Sequence, residues 1–151
     1  VVAIADQVPG TIVIASEEEA RKVKKYKKAG VVSQSTQTIE NVQEIINILM
    51  QKVFDLHFVN TICYPTKRNQ EQIKTLAVES DVMLIIGSFT SANSKRLTLL
   101  SELINKNTYQ VTSAKNVKDE WFDNCKSVGI SAGASTPDYL IEEVREKLLS
   151  L

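Results

Sequence analysis

Val82-Met83-Leu84-Ile85-Ile86-Gly87-Ser88-Phe89-Thr90-Ser91-Ala92-Asn93-Ser94 is the stretch that decides the fold of this chain. Its five leading apolar residues are too few for a buried helix and read as a strand covered on both faces. A polar loop follows, and then a helical period over residues 92–104. The same unit recurs on either side, with a strand over 58–62 before a helix over 67–78, and a strand over 127–130 before a helix over 137–149. Further upstream, residues 31–33 lead through Gln34-Ser35-Thr36-Gln37-Thr38 into a period marked by Val42, Ile45, Ile46, Leu49 and Val53. A strand over 108–111 leads to a short helical turn near Glu120-Trp121-Phe122. Strands alternating with helices at this spacing give βαβ units, so the fold class is α/β, with parallel sheets flanked by helices.

Working outward, residues 57–151 hold four strands with their helices, enough for one complete C-terminal α/β domain. Residues 1–56 supply two strands and two helices and read as the second half of an incomplete α/β domain. There, residues 11–15 are β-branched and short, as a strand is. Ser16-Glu17-Glu18-Glu19 is a capping box in which Ser16 and Glu19 satisfy each other's amides. The helix it opens is expected to run to about Lys28, with lysines in its last turn and Gly30 beyond. The apolar opening Val1-Val2-Ala3-Ile4-Ala5, without a methionine or a polar leader, is expected of a piece of a longer protein.

The 151 residues are 43% hydrophobic and 24% charged, a globular composition. Lysine plus arginine equal aspartate plus glutamate at 18 each, so no net field attracts nucleic acid or an anionic membrane. No apolar run is long enough to span a bilayer and no signal-peptide pattern opens the chain, so the expected location is cytoplasmic. Cys63 and Cys125, far apart in such a chain, read as reduced thiols.

In an open parallel sheet the ligand crevice lies beyond the carboxyl ends of the strands. The loops there read Ser33-Gln34-Ser35-Thr36-Gln37, Thr61-Ile62-Cys63-Tyr64-Pro65-Thr66, Gly87 through Ser94 as quoted, and Ser131-Ala132-Gly133-Ala134-Ser135-Thr136-Pro137-Asp138. Each precedes a helix, and hydroxyls, a carboxamide and free amides at a positive helix end suit a phosphate or diphosphate. Helix capping explains the same residue types, and Thr136 before Pro137 reads as an ordinary cap.

Cys63 stands between a strand and a helix, where the helix end favours the thiolate. A buried inert cysteine, a phosphatase-type nucleophile and a metal or cluster ligand compete for it. Arg68 follows too closely for the second, and Pro65 removes an amide from the anion cradle. The third lacks partners, since the chain has one histidine, His57, and no zinc-type spacing. His57, ahead of its strand, and Cys125, before a strand, read as structural. Glycine-rich dinucleotide and P-loop fingerprints are absent.

Taken together, these loops resemble the C-terminal half of the IspH/LytB family of 4-hydroxy-3-methylbut-2-enyl diphosphate reductases, collinearly over residues 1–149. The stretches that carry the resemblance are Asn60-Thr61-Ile62-Cys63-Tyr64-Pro65-Thr66 with Arg68 and Gln70, Ser91-Ala92-Asn93-Ser94-Lys95-Arg96-Leu97, and Gly129-Ile130-Ser131-Ala132-Gly133-Ala134-Ser135-Thr136-Pro137-Asp138. The resemblance implies an enzyme of three pseudo-threefold α/β domains around a cavity, with one cysteine from each holding a 4Fe-4S cluster. Cys63 matches one of those three ligands. Ser91, Asn93 and Ser135, with the backbone of Ala92, match residues that hold the diphosphate. Ser35 and Thr36 lie in the loop near the substrate hydroxyl.

The implied reaction is reductive removal of that hydroxyl, giving isopentenyl and dimethylallyl diphosphate in non-mevalonate isoprenoid biosynthesis, with ferredoxin or flavodoxin as electron donor. Two departures stand out. The first loop reads Ser33-Gln34-Ser35-Thr36 where the family commonly has Thr-Gln-Thr-Thr, so a hydroxyl survives at Ser35. In the third loop, Ser88-Phe89-Thr90 replaces the usual Ser-Lys-Asn, and the lysine is lost.

The remaining cluster cysteines, the diphosphate-binding histidines and the proton-relaying glutamate of the family are expected in a part that precedes Val1. The chain alone is therefore expected to be inactive, and residues 1–56 to be destabilised, swapped or propped by another chain. A rival expectation is a diverged, non-catalytic member that binds a diphosphate ligand without a cluster.

Overall fold

The computed structural model describes residues 5–151, and the apolar opening Val1-Val2-Ala3-Ile4 lies outside them. The chain divides into two compact units, which meet in sequence at Cys63 and Tyr64.

In the first unit, helix α1 (Glu17–Lys22) is followed by strand β1 (Tyr26–Val32), helix α2 (Ile39–Met50) and strand β2 (Val53–Val59). Ser16 caps α1 by accepting from the Glu19 amide at 3.3 Å, while the Glu19 carboxylate accepts from the Ala15 amide at 2.6 Å rather than from Ser16. The helix stops at Lys22 instead of Lys28 because Val23 is already extended and residues 26–32 enter a ladder with β2. Its last carbonyls are met from elsewhere: Lys52 Nζ donates to Val23 O at 2.7 Å and also to Arg21 O. Lys28 is thereby a strand residue, paired with Asp55 at 3.3 Å.

Thr38 caps α2, which buries Val42, Ile45 and Leu49 at helical spacing, the last two against Ala20. β1 and β2 run parallel, from Tyr26 opposite Val53 to Val32 opposite Val59. These two strands are the whole sheet of this unit among the described residues, and residues 11–15 join no ladder, contrary to the strand expected there. A cavity of about 560 Å³ is lined by those residues, by Gly30, Val31 and Val32 of β1, and by the apolar face of α2.

β2 also corrects the expected domain boundary. A strand over 58–62 is expected to open the C-terminal domain after residue 56, whereas Val53–Val59 pairs with β1 and belongs to the first unit. Val53, which fits the helical period, is the buried first residue of the strand, and α2 has already ended at Met50. His57 consequently lies within the strand, exposed, with its imidazole 2.8 Å from Asp55.

The second unit opens with helix α3 (Tyr64–Glu79), then β3 (Val82–Ile86), α4 (Ala92–Ile104), β4 (Thr108–Val111), two 3-10 turns (Ala114–Asn116 and Asp119–Phe122), β5 (Val128–Ala132) and α5 (Asp138–Leu149). Its sheet has three parallel strands in the order β4-β3-β5. β3 is central, and all five of its residues are buried. Met83 and Ile85 pack with Ile73, Ala77 and Leu97 of α3 and α4. Leu84 and Ile86 face the other way, into Val111, Val117 and Val144. Tyr109 stacks on Trp121 at 4.0 Å between ring centres and closes that second layer. Helices on both faces are what an all-apolar parallel strand requires.

Candidate functional site

In the second unit, the loops after β3 and β5 leave the carboxyl ends of neighbouring parallel strands, so they emerge side by side. The Gly133 amide donates to Ile86 O at 2.9 Å, and the Thr136 hydroxyl donates to the same carbonyl at 3.0 Å. Ser94, in the first turn of α4 and fully buried, seats both loops. A Cβ on Gly87 would lie 2.2 Å from Ser94 Oγ, and one on Gly133 would lie 2.4 Å from it. Only glycine lets either backbone approach so closely.

Ser91 is a cap as well as a candidate ligand, since its hydroxyl accepts from the Ser94 amide at 3.3 Å. Thr136 is not the cap expected of it: its hydroxyl is committed to Ile86, and Pro137 occupies the cap position of α5 with no side-chain hydrogen bond. Capping therefore explains one of these two loops and leaves the other unexplained. Ser135 and Ala92 are exposed. Asn93 is buried, 7% exposed, and neither its amide nitrogen nor its amide oxygen has a hydrogen-bond partner. An unpaired buried polar group costs about 1–3 kcal/mol, so a carboxamide left in this state at a helix start is poised for a ligand.

The loop after β3 is tied to β4 by a residue that sequence reasoning missed. Gln110 Nε2 donates to Gly87 O at 3.1 Å and to Ser88 O at 3.0 Å, and its Oε1 accepts from the Thr98 hydroxyl at 3.2 Å. Its one signal in the sequence is a carboxamide placed inside a short strand. Arg96 lies further along α4, half-buried; desolvation lowers its pKa, and it stays cationic.

In the first unit, the loops after β1 and β2 are stapled in the same manner. Ser33 Oγ accepts from the Thr61 amide at 3.1 Å, and the Thr61 hydroxyl donates to Ser33 O. The Cys63 amide donates to Ser35 O at 3.1 Å. The loop of Ser35 and Thr36 thus holds the backbone of Cys63, whose side chain is exposed and in no disulfide. Exposure removes the reading of Cys63 as a buried inert thiol. Cys125 is half-buried, and its thiol donates to Ser127 O at 3.2 Å, which fits a structural role.

Among the described residues, no three or more His, Cys, Asp or Glu side chains converge as a metal site, and no helix is long and apolar enough to cross a membrane. The structure thus brings the carbonyl of Ser35 to the amide of Cys63 in one unit, and the loops of Ser91, Ala92, Asn93 and Ser135 together in the other.

The LytB protein family matches residues 1–149. This chain belongs to that family. Two relatives are the 4-hydroxy-3-methylbut-2-enyl diphosphate reductases of Aquifex aeolicus (strain VF5), 42% identical over 91% of this chain and 47% of that protein, and of Campylobacter lari, 44% identical over 90% and 49%. A solved (E)-4-hydroxy-3-methyl-but-2-enyl diphosphate reductase, described as the terminal enzyme of the non-mevalonate pathway, aligns with a TM-score of 0.61 at 42% identity, covering 88% of this chain and 46% of that one. The reductase from Plasmodium falciparum aligns with a TM-score of 0.87 over 99% of this chain and 48% of that one; at 21% identity it bears on the fold alone. The chain spans about half the length of the relatives it matches.

Proposed function

We propose that this chain is part of a LytB-family reductase that converts 4-hydroxy-3-methylbut-2-enyl diphosphate to isopentenyl and dimethylallyl diphosphate, and that it supplies the diphosphate cradle and one cluster ligand. The observation that carries the reading is Asn93, a buried carboxamide with both polar atoms unpaired at the start of α4. A diphosphate oxygen accepting from its Nδ2 and from the free amides of the first helical turn would satisfy the donor half of that deficit and meet the positive helix end. Ser91 and exposed Ser135 add hydroxyl donors from adjoining loops, and the Ala92 amide adds a main-chain one. In the first unit, Ser35 and Thr36 serve the substrate hydroxyl.

Cys63 fits a thiolate ligand to a 4Fe-4S cluster, because its side chain is exposed at a strand end and its backbone is fixed by Ser35. When bound, the cluster supplies electrons and a Lewis-acidic iron. One cysteine cannot hold it, so the other ligands and the acid–base groups come from outside these residues, and the chain alone is inactive. The whole enzyme is a three-domain, cytoplasmic protein served by ferredoxin or flavodoxin. The first unit is the latter half of a domain, and its two-stranded sheet and apolar cavity support that reading.

The test is anaerobic and uses the full-length parent, comparing cluster absorption and reductase turnover in the wild type, Cys63→Ser and Asn93→Ala. Expected are loss of cluster and turnover in Cys63→Ser, and an intact cluster with a raised KM in Asn93→Ala. A folded parent with neither cluster nor turnover would instead be a diverged diphosphate-binding protein.

A further inference from the structure

We propose that Gln110 is a positioning residue for the diphosphate, turning the main-chain N–H groups of Ser88 and Phe89 into anion donors; the inference rests on the diphosphate reading of the α4 site. The carboxamide has one possible orientation. With Nε2 against the carbonyls of Gly87 and Ser88, and Oε1 against the Thr98 hydroxyl, a flip would set Oε1 on two carbonyl oxygens.

The consequence for the loop follows from the planarity of the peptide. In a trans peptide the C=O and the following N–H point to opposite sides, and no peptide bond among the described residues is cis. Two consecutive carbonyls drawn toward Gln110 therefore turn the Ser88 and Phe89 amides away from it. Among the described residues neither amide has a hydrogen-bond partner, whereas the next two are committed: Thr90 N–H to Ser88 Oγ at 3.1 Å, and Ser91 N–H to Ser88 O at 3.0 Å. Successive free N–H groups on one side of a loop make an anion-binding concavity. Gly87-Ser88-Phe89-Thr90 carries no cationic side chain, so a phosphate against this loop is met by neutral donors, the main-chain N–H groups and the Ser88 and Thr90 hydroxyls, which pair with each other at 2.8 Å. Thr98 links the device to the helix, because its hydroxyl also lies 3.0 Å from Ser94 O.

The test is a titration of the 151-residue chain with inorganic diphosphate, followed by the amide resonances of Ser88, Phe89, Ala92 and Asn93, in the wild type and in Gln110→Leu. In the wild type all four are expected to shift together. In Gln110→Leu the Ser88 and Phe89 shifts are lost and affinity falls about tenfold, as for the loss of one or two charge-assisted hydrogen bonds, with the β3 resonances unchanged. Wild-type shifts at Ala92 and Asn93 without Ser88 and Phe89, or wild-type affinity in folded Gln110→Leu, would overturn the role of Gln110 and leave the α4 site standing. No shift at any of the four in the wild type would overturn both. The wild-type titration by itself decides whether the Ser88 and Phe89 amides meet the anion, and Gln110→Glu, which keeps the side chain's length but loses both donors to the carbonyls, replaces Gln110→Leu should that variant not fold.

Discussion

The amide of Cys63 donates to the carbonyl of Ser35 at 3.1 Å, so the proposed cluster ligand and the loop proposed to meet the substrate hydroxyl are held by one hydrogen bond. Ser33, buried, anchors the pair of loops by accepting from the Thr61 amide. Ser33→Ala removes the acceptor of that bond and, with Thr61 exposed, should cost the first unit about 0.5–1.5 kcal/mol. Denaturant titration of the chain measures this, and in the full-length parent the cluster should bleach faster under chelator than in wild type. Wild-type bleaching would mean that the staple does not position Cys63.

Asn93→Ala separates binding from folding. Removing two orphaned polar atoms from a buried site, and placing the best helix former there, should leave the second unit as stable as wild type or up to about 1 kcal/mol more stable. Diphosphate affinity should fall at least about tenfold. Parallel thermal melts and calorimetric titrations check both; a loss of stability would make Asn93 a structural residue.

Gly133→Ala places a Cβ 2.4 Å from Ser94 Oγ and should destabilise the second unit by about 1–3 kcal/mol. Removing that hydroxyl relieves the clash, because the next contacts of the new Cβ are 3.4 Å and 3.6 Å away. The Gly133→Ala, Ser94→Ala double variant should therefore recover most of the loss. A double-mutant cycle by denaturation measures the coupling, and additive costs would refute the proposed seat.

Asp81 ties the starts of β3 and β5 together: its Oδ2 accepts from the Lys126 amide at 2.8 Å, the Ser127 amide at 3.0 Å and the Ser127 hydroxyl at 3.2 Å. The Lys126 amide first, and then Ser127, hold its pKa below the ordinary carboxylate value. A depressed folded pKa adds stability above the unfolded value and loses it as pH falls through the folded one. Asp81→Asn should thus be less stable than wild type at neutral pH, with the gap closing on acidification below about pH 4. Melting curves across that range read the gap, and a gap independent of pH would count against the carboxylate.

The second unit was nearly complete in its sequence, because Val82–Ile86 is apolar throughout and the helices that cover it keep their period. The first unit was harder to read because tertiary pairing overrides local pattern: the lysines at 24–28 suit a helix end, yet Tyr26–Val32 is claimed by β2. Ser91, Asn93 and Ser135 were visible as polar residues in loops before helices, but the burial of Asn93 was not. Gln110 was invisible because its role depends on a neighbour 23 positions away in sequence, across the β3–β4 ladder.

That same ladder sets the last prediction. β3 is hydrogen-bonded along both edges, whereas β1 is paired on one edge among the described residues and faces the apolar cavity near its end. A parallel strand paired on one edge only is held by fewer ladder bonds and opens more readily. Native-state hydrogen exchange on the 151-residue chain should show β1 and α2 opening at lower free energy than β3. In the full-length parent, where the proposed remainder of the domain is present, protection of β1 should rise toward that of β3. Equal protection of β1 and β3 in the 151-residue chain would mean that the first unit needs no further strand.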